Sequence, residues 1–400
     1  MKLYPLIILF AVGVCSASSL IGYNALGQEA MPQNSTLIRN GISPQNPALN
    51  AFENKTKFGT SIYFEYAIPT NPLNSNYSLS LNSFNVPSIS MLVPLGDFGA
   101  LGVSLDQKFF ANNRIELKDS ILNADISLNS RIGLYELNPT YSLRLPLALN
   151  NFAIGVSYRV FFGNSEQTTT LGADTTWAGN KRDAWMSRGV SVIQKETGDF
   201  ESAGDWWRPF GASLHFHTKS VDYFFSYFPS VPMKREIATR TQFSNTDTLS
   251  EKNGTENFIL PKRFATGVHL KFAQNQNISF GYELQDWNGS IGSAKIETQT
   301  EKTYFAEYKI TGTGLYYSPF LQRNNFGISG WIAQKYIKGS EEYGASIFTD
   351  LSLGRRGTLV SLALLGGFRD GGKQYWEEPF VGFKLNLTGV GNWGQSARRR

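Results

Sequence analysis

The chain has 400 residues, a net charge of +5 and 14% aromatic residues. Its 37 basic residues form no basic stripe, which argues against a nucleic-acid partner. A single cysteine excludes a disulfide scaffold. No segment after the N-terminus has the roughly 18 consecutive apolar residues of a transmembrane helix.

The N-terminus predicts a signal peptide over residues 1–18. Lys2 supplies a positive charge, and residues 3–14 form an apolar segment too short to cross a bilayer as a helix. Small residues suited to cleavage follow. Cys15 could instead mark a lipoprotein, but Val14 stands where a small residue is needed. We therefore expect an exported chain that has no cysteine after cleavage.

A polar, irregular stretch over residues 19–57 comes next and contains three prolines and many Asn and Gln residues. Its length suits an N-terminal tail or plug better than membrane strands. From Phe58 onward, strand-like segments follow one another at short intervals. We expect a barrel over residues 58–388 and a C-terminal tail over residues 389–400.

A period-two hydrophobic pattern is clearest over residues 152–160. Side chains of a strand point alternately to its two faces. One face carries Phe152, Ile154, Val156, Tyr158 and Val160, and the other carries Ala153, Gly155, Ser157 and Arg159. Repeated in an exported chain, this pattern predicts an all-β fold: a transmembrane antiparallel β-barrel of about 14 strands.

The strand candidates are separated alternately by short turns and longer polar segments. They cover residues 58–68, 88–94, 98–110, 135–145, 152–162, 210–217, 221–228, 234–250, 264–272, 278–287, 304–317, 326–336, 343–353, 359–368 and 379–387. A soluble β-sandwich is the alternative. The long insertion over residues 163–208 argues against it, because sandwich connections are short.

That insertion is predicted to be an outer loop with a cluster of aromatic residues. The cluster comprises Trp177, Trp185, Phe200, Trp206 and Trp207. Exposed aromatic clusters generally pack or bind something. One interpretation is a surface patch that captures an amphiphile. The other is a loop folded on itself, or an aromatic girdle at the membrane edge formed by Trp206 and Trp207.

The chain has three histidines, and each is predicted to line the lumen. His215 and His217 are two residues apart on one strand, so they share a face, and alternation places His269 inward on another strand. Two imidazoles on one face could bind a metal, but no third ligand is visible at a useful spacing. We therefore expect polar lumen lining, with no metal, cofactor or catalytic site.

Three stretches resemble the FadL family of outer-membrane transporters. They are Asn46-Pro47-Ala48-Leu49, the segment 137–145 leading into 152–156, and the segment 260–267 followed by Trp287. The resemblance implies that Asn46, Pro47, Ala48 and Leu49 belong to a hatch that plugs the lumen. It also implies passive transport of long-chain fatty acids or other hydrophobic compounds.

These observations together predict a monomer in the bacterial outer membrane, in contact with lipid and lipopolysaccharide, whose partner is a hydrophobic small molecule. Two alternatives remain open. A porin for polar solutes would have an open, wet and charged lumen. A structural or secretion-linked barrel would dock a protein partner.

Overall fold

The computed structural model describes residues 28–29, 46–70, 81–119, 124–145, 151–173, 191–243, 249–288, 297–313, 319–353, 358–372 and 377–391. Fourteen antiparallel strands form a closed β-barrel within these ranges, which confirms the predicted fold class. The longest described helix has six residues, and no described helix is long and apolar enough to cross a membrane.

The strands follow one another around the barrel in chain order. Ten run without interruption: β1 Thr56–Ala67, β2 Leu81–Pro94, β3 Ala100–Asp119, β4 Ala124–Arg144, β9 Gln276–Asp286, β10 Thr300–Ile310, β11 Asn325–Gln334, β12 Glu341–Leu353, β13 Thr358–Asp370 and β14 Glu377–Gly391. The other four each consist of two pieces: β5 of Phe152–Tyr158 and Val160–Ala173, β6 of Ser191–Ser202 and Phe210–His217, β7 of Val221–Phe228 and Val231–Phe243, and β8 of Leu249–Leu260 and Arg263–Ala273.

The barrel closes where β14 pairs with β1, from Gly391 opposite Thr56 to Phe380 opposite Ala67. Connections such as 95–99 and 218–220 lie at the end where β1 begins and β14 ends. We call this end the turn end and the opposite end the loop end.

The side chains of the wall alternate between the lumen side and the outer face, as the sequence predicts. On β5, Ala153 and Ser157 are buried on the lumen side, whereas Val156 is 44% exposed on the outer face. The outer face of the later strands is also apolar, with Ile328 at 56% and Ile347 at 59% exposure. Apolar outside and small or polar inside is the pattern of a barrel in lipid.

The interruptions in β5 to β8 lie next to one another, and proline explains three of them. Pro209, Pro229 and Pro261 fall in the breaks of β6, β7 and β8. Proline has no N–H for the ladder and is excluded from regular central strands. The break in β5 is Arg159, whose N–H donates to the carbonyl oxygen of Pro209 at 3.1 Å.

The strand count is confirmed, but the prediction reached it with different segments. The sequence counts 221–228 and 234–250 as two strands, whereas 221–228 and 234–243 both belong to β7. It also misses residues 251–260 of β8, and it predicts a loop for residues 163–173 of β5 and for Ser191–Ser202 of β6. The loop assignment is wrong for these residues because the strand extensions lack the alternation of apolar and polar residues that marks a strand in sequence.

The wall also extends past the predicted boundaries. Gly389, Val390 and Gly391 of β14 pair with Phe58, Lys57 and Thr56 of β1, so residues 56–57 and 389–391 belong to the barrel. The predicted signal peptide over 1–18 and the remainder of the tail lie outside the described residues.

Candidate ligand path through the lumen

A short segment of the N-terminal region lies against the inner wall at the turn end. Asn46 precedes a 3-10 helix over Pro47–Phe52, and the proline at its start suits a first helical position. We call residues 46–52, which lie within the predicted plug, the plug segment. Its backbone is tied to the wall, because the N–H of Ala48 donates to Ser213 Oγ at 2.8 Å and Arg144 Nε donates to the Ala51 carbonyl at 2.7 Å.

Gly155 of β5 makes the close approach of the plug segment possible. A Cβ atom at this position would lie 2.3 Å from the Ala48 nitrogen and 2.6 Å from the Pro47 carbonyl carbon. No side chain fits at these distances. Asn46 and Ala48 are accordingly fully buried against the wall. Residues 19–45 are described only at Gln28–Glu29, so the full extent of the predicted hatch remains a prediction.

The three histidines lie on the lumen side near the plug segment. The His215 ring is 5.3 Å and the His217 ring 5.6 Å from the Phe52 ring. Asn46 Nδ2 lies 3.3 Å from His215 Nδ1. His269 is farther round the wall and shares a hydrogen bond of 2.9 Å with Ser279 Oγ.

Above the strand breaks, apolar side chains gather inside the barrel. We call this group the lumen cluster. It comprises Phe109, Leu134, Phe161, Phe200, Val231, Met233, Phe258, Leu260, Trp287, Tyr336 and Ile337. All of them are buried, and several lie on the loop-end pieces of β5 to β8. Apolar groups on the inner face of the wall are what an apolar ligand requires.

The aromatic centre of the lumen cluster is formed by Phe109, Trp287 and Tyr336. Phe109 meets Trp287 edge-to-face at 5.6 Å and Tyr336 at 6.0 Å, and the Trp287 and Tyr336 rings are 4.9 Å apart. Trp287 follows β9 and Tyr336 follows β11, so both belong to loop-end connections folded over the lumen. The sequence does not reveal this trio, because its three residues lie far apart in the chain and meet only in the closed barrel.

A layer of charge lies between the plug segment and the lumen cluster. Arg159 Nε donates to Glu136 Oε1 at 3.0 Å, and its Nη1 lies 3.4 Å from the Pro229 carbonyl oxygen. Lys108 Nζ is 3.3 Å from the other Glu136 oxygen. The order along β5 is therefore Gly155 against the plug, then Arg159, then Phe161 in the lumen cluster. Buried charges of this kind are tolerated only when paired.

A second buried charge network joins the strands at the closing seam. Arg369 of β13 donates to Glu65 of β1 at 2.7 Å, to Glu378 of β14 at 2.7 Å and to Glu342 of β12 at 2.9 Å. Its guanidinium also stacks on the Phe380 ring at 3.9 Å. The Arg369 side chain is 1% exposed, so four strands share one desolvated cation.

Strands β2 and β3 separate part-way up the wall. They pair from Pro94–Ala100 to Ser88–Asp106. Beyond this point β2 remains paired with β1 and β3 with β4. The residue that follows the last pair on β2 is Pro87, which has no N–H to continue the ladder. We call this separation the fork.

The free edge of β3 at the fork is partly covered. The two-residue strand Gln28–Glu29 pairs with Phe110 and Phe109 on this edge. Phe109 thus contributes to the lumen cluster and lies beside the fork at the same time. At the base of the fork, Asp106 accepts hydrogen bonds from Ser88 Oγ at 2.7 Å and Ser104 Oγ at 2.6 Å.

The predicted capture residues separate into three places. Phe200 is 4% exposed and belongs to the lumen cluster, so it is not part of an exposed loop. Trp206 and Trp207 are 74% and 54% exposed in the break of β6, and Trp206 packs edge-to-face on Phe210 of the outer face. Trp177 and Trp185 lie outside the described residues.

A groove of about 740 Å³ lies on the outer face of the wall, separate from the lumen. A row of small residues, Ala306, Gly330, Ala345 and Gly366, crosses β10 to β13 and forms its floor. Large apolar side chains such as Ile328 and Ile347 flank the row. Because the groove faces outward, we do not assign it to the ligand path.

Comparison with solved structures shows which fold this is. A FadL homologue from Pseudomonas aeruginosa aligns over 94% of this chain and 98% of its own, with a TM-score of 0.59 and 12% identity. The fold is that of the FadL-type barrels. The toluene transporter TodX of Pseudomonas putida covers the same shares at a TM-score of 0.55 and 12% identity. The toluene transporter TbuX of Ralstonia pickettii aligns over 86% of this chain and 92% of its own, at 0.51 and 10%. No family model and no curated protein matches the sequence.

Proposed function

We propose that this chain is an outer-membrane channel for passive uptake of hydrophobic small molecules such as long-chain fatty acids. The lumen cluster carries the proposal, since its buried apolar side chains line the inside of the barrel. The fold shared with a FadL homologue and with toluene transporters supports the same function. A porin for polar solutes is disfavoured, because its lumen would be wet and charged throughout.

The path has a physical order. A ligand captured at the loop end enters the lumen and reaches Phe109, Trp287 and Tyr336. The paired charges around Arg159 resist further passage of an apolar solute toward the plug segment, because an apolar ligand would strip them of polar partners. The fork beside Phe109 offers an exit through the wall, into lipid on the outer side. Release along this route requires Gln28–Glu29 to leave the edge of β3.

Ligand binding to two variants with adjacent substitutions on β8 tests the proposal. Phe258 faces the lumen cluster at 8% exposure, whereas its neighbour Ile259 is 43% exposed on the outer face. Toluene and oleate are titrated into the purified protein, and binding is followed by tryptophan fluorescence. Phe258→Ala should weaken binding by about tenfold, since losing a buried aromatic contact costs more than 1 kcal/mol. Ile259→Ala should leave binding unchanged, and equal effects of both substitutions would contradict the proposal.

Conductance distinguishes the channel from a porin. We expect single channels in planar bilayers to show low conductance, because the predicted plug and the side chains of the lumen cluster would narrow the bore. Removing residues 19–54, which stops short of β1, should raise it if this region plugs the lumen. High steady conductance of the full chain would favour the porin.

A further inference from the structure

All three histidines of the chain converge on one aspartate in the lumen. Asp222 of β7 lies opposite His217 of β6 on one side and opposite His269 of β8 on the other. His215 lies two residues before His217 on the same face. The third candidate ligand that the sequence did not reveal is therefore Asp222. Asp222 can be identified from the register of the hairpin around residues 218–220, which places it opposite His217.

The ligand atoms of this group are close enough to share one cation. A ring nitrogen of His215, a ring nitrogen of His217 and a carboxylate oxygen of Asp222 all lie within 4.8 Å of one another. His217 Nδ1 is in direct contact with Asp222 Oδ1. Ligand atoms bound to one zinc ion at about 2.0–2.2 Å are separated by somewhat less than this. Small side-chain rotations therefore complete the arrangement without movement of the backbone.

We propose that His215, His217 and Asp222 bind one divalent transition-metal cation of the zinc or nickel class. Two imidazoles and one carboxylate form the donor set that such borderline metals prefer. Calcium and magnesium are disfavoured, because they take mainly oxygen ligands. Water from the lumen completes the coordination, since the His217 side chain is 43% exposed.

Two neighbouring groups define the limits of the site. Lys271 Nζ lies 3.2 Å from Asp222 Oδ2, so its positive charge competes with a metal for the carboxylate. His269 is engaged with Ser279 Oγ at 2.9 Å and lies outside the group of three ligand atoms. Removing Lys271 should therefore strengthen metal binding, whereas removing His269 should leave it almost unchanged.

The position of the site couples it to the plug segment. Phe52 lies 5.3 Å from the His215 ring and 5.6 Å from the His217 ring, and Asn46 Nδ2 contacts His215 Nδ1 at 3.3 Å. A bound metal fixes both imidazole rings. It also occupies a ring nitrogen that otherwise hydrogen-bonds to solvent or to Asn46. Occupancy of the site would then alter how firmly the plug segment holds to the wall. This consequence rests on the proposed function, whereas the binding claim does not.

Cobalt titration of the purified full chain, carrying no polyhistidine tag, tests the binding claim. Visible absorption of Co²⁺ reports coordination directly, and competition by Zn²⁺ gives the zinc affinity. We expect one ion per chain. His217→Gln and Asp222→Asn should each weaken Co²⁺ binding at least about tenfold, because loss of even a group that only supports a metal ligand costs this much affinity. Lys271→Met should tighten it at least about threefold, because an opposing charge is gone. His269→Gln is the matched control and should stay within about twofold.

Three results overturn the proposal: absent cobalt absorption in the natural chain, unchanged affinity in Asp222→Asn, or weaker binding in Lys271→Met. Heat-modifiable gel mobility checks that each variant folds as a barrel. If the ligand variants do not fold, Lys271→Met still decides, because a misfolded protein does not gain affinity. Conductance with and without Zn²⁺ is measured separately, and a null result there counts only against the coupling to the plug segment.

Discussion

The two sides of the barrel wall differ in the regularity of their strands. From β9 to β14 every strand runs unbroken, and the outer face carries a continuous row of small residues from Ala306 to Gly366. From β5 to β8 every strand breaks once at neighbouring positions. The interrupted side receives the plug segment at the turn end and contributes most of the lumen cluster above the breaks. The residues proposed for the plug and for most of the ligand path thus lie on the strands that are interrupted.

Each side of the wall contains a buried arginine, and the two arginines have different partners. Arg369 on the regular side bonds three carboxylates across the seam, whereas Arg159 on the interrupted side bonds Glu136 and the carbonyl oxygens exposed by the breaks. The first links four strands at the seam, and the second donates to the Pro209 and Pro229 carbonyl oxygens beside the breaks. Substitutions at these positions test whether the two sides depend on different interactions.

Arg369→Met should have the largest effect. It leaves Glu65, Glu342 and Glu378 buried with no shared cation, and breaking a buried pair costs about 3–5 kcal/mol. Urea unfolding in lipid vesicles, followed by fluorescence, measures the loss. Lys338→Met on the same side is the control, because its pair with Glu297 is exposed and worth about 1 kcal/mol or less. Similar losses for both variants would show that the seam does not depend on Arg369.

Arg159→Met should destabilise by about 3 kcal/mol, because the buried Glu136 loses its closest cation and retains Lys108 as its ion-pair partner. Adding Glu136→Leu to this variant should recover part of the loss, since no unpaired carboxylate is left. The same urea experiment measures both. A double variant less stable than the sum of the single losses would contradict this account of the charge layer.

Gly155→Ala should free the plug segment from the interrupted side. The new Cβ would collide with the Ala48 nitrogen and the Pro47 carbonyl, at a cost of about 1–3 kcal/mol. Conductance should rise. Gly330→Ala on the regular side is the matched control, because its Cβ would meet only the Gly344 oxygen at 3.5 Å. A conductance that stays low in Gly155→Ala would argue that the plug segment does not restrict the bore.

The regular side could be predicted from sequence, and the interrupted side only in part. Strong alternation of apolar and polar residues predicted β12 and β13 almost to their ends, because one face of each strand meets apolar surroundings and the other faces the lumen. The same signal placed His215 and His217 on one face. Pro229 and Pro261 misled the prediction, since a proline inside a strand resembles the end of one.

The remaining errors concern strand extensions with two polar faces and contacts between segments distant in sequence. Residues 163–170 read as loop because both faces of this strand extension are polar. Phe109, Trp287 and Tyr336 come together only through closure of the barrel, and no local pattern reveals this. Asp222 next to His217 could have been found, because the two-strand register follows once the hairpin is recognised.

The smallest effect is expected at Trp206, where the two interpretations of the aromatic residues can be separated. Trp206 is 74% exposed and meets Phe210 edge-to-face at 6.1 Å, a contact worth about 0.5–1.5 kcal/mol. Trp206→Ser should lower stability in vesicles by this amount and leave ligand binding unchanged, because the residue lies on the outer face beside β6. Trp177→Ser, in the predicted loop, is the comparison variant for capture. If Trp206→Ser instead slows ligand uptake while stability is kept, capture extends to the break of β6, and the interrupted side serves the ligand on its outer face as well as inside.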